Sequence, residues 1–189
     1  MKSKQGVILY GPPASGKDTV TTALAELSSK YTQFARLKVG TGKSVGYRMG
    51  TAEELDELKA AGGVLYANSR YGNTYVIDKP GLDAAFEAGV PVVHIGQVDG
   101  IRALVDGYPA NWSQVLLWCP RETTAERSAD RGDSDTTARL AAWDATCADL
   151  GAHPDMVWGL TVDTTASAPQ EAARLIDQLL AQRAGAAQA

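Results

Sequence analysis

With 189 residues, the chain is long enough for one compact α/β domain with a sizeable core. Hydrophobic content of 44% and charged content of 21% are ordinary for a globular protein, and a net charge of −4 speaks against a general nucleic-acid binder. Two cysteines, Cys119 and Cys147, are too few for a disulfide scaffold and are expected as small buried hydrophobes in a reducing cytoplasm.

The first apolar run, Val7 to Tyr10, is too short for a signal or membrane-spanning segment. It leads into Gly11-Pro12-Pro13-Ala14-Ser15-Gly16-Lys17-Asp18-Thr19, after which Val20, Leu24 and Leu27 share one helical face. Strand, glycine-bounded loop and helix in that order make a phosphate-binding P-loop. Gly11 and Gly16 permit the tight turn, amides at the helix start favour an anion, and Lys17 reaches the outer phosphates as a point charge. Asp18 stands where a Ser or Thr usually meets Mg²⁺, with a hydroxyl one residue later at Thr19, so both are candidate metal residues, directly or through water.

A helix is expected over 18–29 and a strand over 34–39, followed by a glycine-rich basic loop carrying Lys38, Lys43 and Arg48. Thr51 with Glu54 has capping-box spacing, and Gly62-Gly63 end that helix. Short strands at 64–67 and 73–77 flank Arg70-Tyr71-Gly72, and Asp78 with Pro80 opens a helix that Gly89 stops. The nearly continuous apolar run 91–96 reads as a parallel strand covered on both faces. A short helix (99–105), a strand (115–119) and a polar helix with Arg127 and Arg131 on one face follow. A longer helix is expected to bury Leu140, Trp143, Cys147 and Leu150, then a last strand over 157–163, then a helix facing Leu175, Ile176, Leu179 and Leu180 to the core. Strands alternating with helices predict an α/β fold with a parallel sheet. The division expected is a core at about 1–37, 90–125 and 141–183, an insertion at about 38–89, a lid at about 126–140, and a frayed tail at 184–189.

Over nearly its whole length the pattern resembles the guanylate kinase family of nucleoside monophosphate kinases. The resemblance rests on Gly11 to Thr19, on Gly72-Asn73-Thr74-Tyr75, and on Arg127-x-x-x-Arg131-Gly132 with the later Arg139-Leu140. It implies a P-loop kinase fold, a five-stranded parallel sheet flanked by helices with an acceptor-binding insertion and a small lid. It also implies ATP (or GTP) as phosphate donor, Mg²⁺, and a cytoplasmic enzyme with a small-molecule acceptor, without nucleic-acid or membrane partners; a homodimer is compatible with it. Gly11 to Thr19 would then bind ATP, with Lys17, Arg131 and Arg139 catalytic and Arg127, Arg131 and Arg139 forming the lid. Lys38, Lys43, Arg48, Tyr66, Arg70, Tyr75, His94 and Gln97 are the candidate acceptor residues, His94 either as a base or as a satisfied core histidine.

Tyr66 and Ile77 stand where guanylate kinases read guanine, and Gly16-Lys17-Asp18 is similar to ribose 1,5-bisphosphate phosphokinases. The acceptor expected is therefore a nucleotide or phosphorylated molecule other than GMP. Two alternatives remain: phosphorylation of a hydroxyl on a nucleoside-like or sugar-like metabolite, and a non-catalytic guanylate-kinase-like binding module.

Overall fold

The computed structural model describes residues 4–42, 44–70, 72–130 and 136–186. In chain order the first elements are β1 (Gln5–Tyr10), α1 (Lys17–Leu27), β2 (Tyr31–Gln33), β3 (Arg36–Val39), β4 (Tyr47–Gly50), α2 (Ala52–Ala60), β5 (Val64–Arg70), β6 (Asn73–Asp78) and α3 (Lys79–Ala88). They continue with β7 (Val90–Ile95), α4 (Val98–Gly107), β8 (Asn111–Trp118), α5 (Arg121–Asp130), α6 (Thr136–Ala152), β9 (Leu160–Asp163) and α7 (Pro169–Ala186).

Five strands form a parallel sheet in the order β2-β7-β1-β8-β9. β1 is its centre, and residues 7–10 are fully buried because helices cover both faces. Alternation divides them. Val7 and Leu9 join Val20 and Leu24 of α1 and Ala172, Ile176 and Leu180 of α7. Ile8 and Tyr10 join Leu82 of α3 and Val98, Ile101 and Leu104 of α4. The strands flanking β1 connect to opposite sides, so their carboxyl ends open a crevice beside the loop after β1, the usual ligand position in such sheets.

A second sheet, β4-β3-β6-β5, lies beside the first. Its β3–β4 pair is parallel, and β6 runs antiparallel to both β3 and β5. It has its own small core, Leu37, Val76 and Leu55 of α2. The capping box is present: the Thr51 hydroxyl accepts from Glu54 N at 3.2 Å, and Glu54 accepts from Thr51 N at 2.7 Å. Asp78 caps α3 through Gly81 N at 2.8 Å, and Pro80 stands in that helix's first turn.

Four local expectations change. The strand expected over 34–39 begins only at Arg36, and a separate strand, β2, precedes it at Tyr31–Gln33; Phe34 packs in the large core and Leu37 in the small one, so the chain changes sheets between them. Cys119 is buried, but Cys147 is exposed. The apolar face expected for α6 is accordingly broken: Leu150 packs against the core cluster that includes Tyr10 and Ile101, whereas Trp143 donates to Cys119 O at 3.0 Å and packs on Trp118. On α7, Ile176 and Leu180 are buried and Leu179 packs against them, but Leu175 is exposed, since one helical face cannot hold all four at full depth. Among the described residues no helix is long and apolar enough to cross a membrane.

Candidate active site

The loop between β1 and α1 takes its shape from two glycines and from the groups that hold its carbonyls. Gly11 has φ 155° and lies so close to β8 that a Cβ would sit 2.1 Å from Leu117 O. Gly16, at φ 86°, is the N-cap of α1 and supplies no side-chain cap, which leaves the first amides of that helix for a ligand. Four successive carbonyls of the loop each accept from a side chain. Lys17 Nζ donates to Gly11 O at 2.7 Å and Pro12 O at 2.8 Å. Thr124 Oγ1 of α5 donates to Pro13 O at 3.0 Å, and Arg127 Nη1 donates to Ala14 O at 2.9 Å. The peptides after Gly11 and Pro12 carry no N–H, because proline follows each, and Ser15 N donates to Pro12 O at 3.3 Å, so the amides left for an anion are those that open α1; Ala14 takes φ 58° on the way to them. The cradle fits a polyphosphate.

Lys17 does not extend into solvent. Instead its ammonium folds back onto the loop, and burial pushes its pKa down to about 8 against the opposing pull of Asp18. Asp18 itself is open, its side chain 82% exposed, and it lines the cleft in front of the loop. Thr19 is exposed and does not line that cleft. One step along an α-helix rotates a side chain by about 100°, which favours Asp18 over Thr19 as the oxygen ligand. A carboxylate beside phosphate oxygens suits Mg²⁺, which takes few protein ligands and completes its octahedron with substrate and water.

The cleft has a volume of about 600 Å³. Its far wall is one face of the second sheet, built by alternation. Tyr66, Asn68 and Arg70 of β5 line it, as do Tyr75 of β6 and Tyr47 of β4. Arg36 of β3 completes this wall, with its guanidinium 5.3 Å from the centroid of the Tyr75 ring and a long, 3.5 Å bond to Asn68 Oδ1. His94 and Gln97, at the end of β7, form the floor, and Arg139 of α6 stands at the edge.

Several candidates are placed elsewhere. Lys38 lies on the same face of β3 as Arg36 but is 2% exposed, donates to Thr41 O at 2.7 Å and sits behind the Tyr47 and Tyr75 rings. Arg48 follows Tyr47 on β4 and so points to the opposite face. It donates to Asp78 and, at 2.9 Å, to Ala35 O, lining a separate cavity with Leu37, Met49 and Leu58. Arg127 does not line the cleft. Besides Ala14 O, its guanidinium donates to Thr164 O at 2.7 Å and Thr164 Oγ1 at 3.1 Å, which makes it a brace behind the loop. Lys43 and Arg131 lie outside the described residues. Sequence reading missed Arg36 and Asn68; the charged–apolar alternation Arg36-Leu37-Lys38-Val39 was the signal that could have found the first.

His94 is a satisfied histidine at the cleft floor, with Nε2 2.8 Å from Thr21 Oγ1 and Nδ1 3.6 Å from Asp18 Oδ1. Burial, reinforced by Lys17 and Arg36 and opposed by Asp18, pushes its pKa down to about 4, so the ring is neutral at pH 7. The cleft thus gathers the cations Lys17, Arg36, Arg70 and Arg139 around the carboxylate of Asp18. That excess contrasts with the net charge of −4 of the chain.

Solved structures with the same fold include guanylate kinase from Anaplasma phagocytophilum, with TM-score 0.64, 15% identity, and 97% of this chain matched to 87% of that one. A gluconokinase from Sinorhizobium meliloti gives TM-score 0.55 at 18% identity, covering 100% and 98% of the two chains. Shikimate kinase from Acinetobacter baumannii, in complex with shikimate, gives 0.51 at 18% identity over 96% of each. No curated protein is significantly similar in sequence. The family model of chloramphenicol phosphotransferase-like proteins matches residues 5–181. With its loop, sheet order and cleft, the chain belongs to the chloramphenicol phosphotransferase-like family and is a P-loop small-molecule kinase.

Proposed function

We propose that the protein transfers the γ-phosphoryl group of ATP, with Mg²⁺, to a small anionic acceptor other than GMP. The observation that carries this reading is the placement of Lys17, Arg36, Arg70 and Arg139 along one cleft in which, among the described residues, Asp18 is the carboxylate. Phosphoryl transfer asks the protein for positioning and charge neutralisation more than for covalent chemistry. The loop amides and Lys17 hold the donor's outer phosphates, and Asp18 would hold Mg²⁺, whose charge would offset that of the phosphate oxygens. Arg139, at the edge of the cleft, closes over the donor side. The insertion at about 38–89 presents the acceptor, with Arg36 and Arg70 drawing its anion to the far wall. The acceptor oxygen forms the new bond to the γ-phosphorus as the bond to the β,γ-bridging oxygen breaks, and ADP leaves with those electrons. A phosphate acceptor brings no proton. A hydroxyl acceptor loses one to the neutral ring of His94, since the carboxylate of Asp18 is taken up by the metal.

A second reading, transfer to a hydroxyl of an uncharged nucleoside-like or sugar-like metabolite, is favoured by the family match, whose description names a phosphotransferase of chloramphenicol. One panel separates the two: ATP consumption with sugar phosphates, nucleoside monophosphates, hydroxy acids and uncharged polyols or nucleosides. The anionic reading expects a charged compound to lead by at least tenfold in kcat/KM and to lose that lead in Arg36→Ala. An uncharged compound leading the panel overturns it.

A further inference from the structure

Tyr66 occupies the inner end of the acceptor wall and is seated by features of three different elements. The β5–β6 ladder shifts register between Val64 and Tyr66, and a bulge of this kind re-aims the side chain that follows it. The aimed ring lies on α4 at Gly100. A Cβ on that glycine would stand 2.8 Å from Tyr66 Cε1 and 3.0 Å from Cζ, so the ring can rest there only because the side chain is absent. Glycine within a helix is unfavourable by itself, and here it makes room for the ring. The Tyr66 hydroxyl donates to Gln97 Oε1 at the N-cap of α4. Gln97 makes no side-chain cap to the helix, and Asp149 Oδ2 accepts from the first helical amide, Val98 N, at 2.9 Å.

We propose that Tyr66 is the end wall of the acceptor compartment and limits the acceptor to a compact molecule of sugar-phosphate size, excluding one that extends a planar base past Arg36 and Asn68. The inference rests on the acceptor lying against the second sheet, as argued above, and adds its size class. The cleft's volume of about 600 Å³ has to serve donor phosphates and acceptor together, and with the Tyr66 ring fixed in its wall a compact acceptor fits that space better than one carrying a purine.

The test measures equilibrium binding by calorimetry, with no turnover required, for ribose 5-phosphate, GMP, ribose and guanosine. The proteins are the wild type, Tyr66→Ala and Tyr66→Phe, each checked for an unchanged far-UV spectrum. Opening the wall should raise the affinity for GMP relative to ribose 5-phosphate at least tenfold in Tyr66→Ala. Tyr66→Phe, which keeps the ring on Gly100, should stay within threefold of the wild type. A Tyr66→Ala ratio within twofold of the wild type, a Phe variant as permissive as Ala, or a wild type that binds GMP as tightly as ribose 5-phosphate overturns the proposal. If only ribose and guanosine bind and follow the same size rule, the wall stands and the anionic acceptor falls. If no probe binds the wild type, gain of GMP or guanosine binding in Tyr66→Ala supports the wall, and its absence overturns it.

Discussion

Arg127→Met separates a brace behind the phosphate loop from a lid over the reacting group. The substitution keeps an unbranched stem of similar reach and removes every donor. Three bonds go: to Ala14 O at 2.9 Å, Thr164 O at 2.7 Å and Thr164 Oγ1 at 3.1 Å. Bonds from a charged donor contribute about 1.5–3 kcal/mol each when buried. The guanidinium is only partly buried, so water can replace part of each bond, and a total of about 2–3 kcal/mol is the reasonable expectation. For a domain of this size that lowers the Tm by about 4–12 °C. The Ala14 peptide, held at a positive φ, loses its anchor, so kcat/KM for ATP should fall by about one to two powers of ten, mainly through KM. Urea unfolding at constant m-value gives the first quantity and initial rates across ATP concentrations give the second. Unchanged stability and KM, with kcat down a hundredfold, would refute the reasoning and return Arg127 to the lid.

Lys17→Met should lower kcat by about a thousandfold, the scale on which aligned charge stabilisation of a transition state is lost. Stability should change by less than about 1 kcal/mol, because the lost carbonyl bonds are offset by no longer burying an ammonium. A variant keeping a tenth of wild-type activity counts against the P-loop mechanism. For His94 the folded pKa, about 4, lies below the ordinary 6.5, so the unfolded chain binds the extra proton between those values. Stability is therefore lost as pH falls through that window, by about 3 kcal/mol between pH 7 and pH 4 in the nucleotide-free protein. His94→Gln should flatten this dependence in paired urea titrations; an equally steep variant would assign the acid sensitivity to other groups.

The phosphate loop was legible because its information is contiguous: apolar strand, two glycines, lysine and amphipathic helix follow one another, and local sterics with helix-end electrostatics suffice to place them. The helix caps at Thr51 and Asp78 were legible for the same reason. The α/β class followed from the alternation of apolar runs with helical faces. The acceptor side was another matter. Arg36, Arg48 and Lys38 look alike as a basic cluster, yet Arg36 faces the cleft, Arg48 the opposite side of its sheet and Lys38 a cover of two tyrosines. Strand parity decides the first two, and parity depends on where each strand begins, which the switch of sheets between Phe34 and Leu37 set. Tyr66 could be placed in the acceptor site from its position in the chain, but its partners Gln97 and Gly100 lie about thirty residues away. Only packing of β5 on α4 brings them together, because a wall between two sheets consists of contacts that neither segment encodes alone.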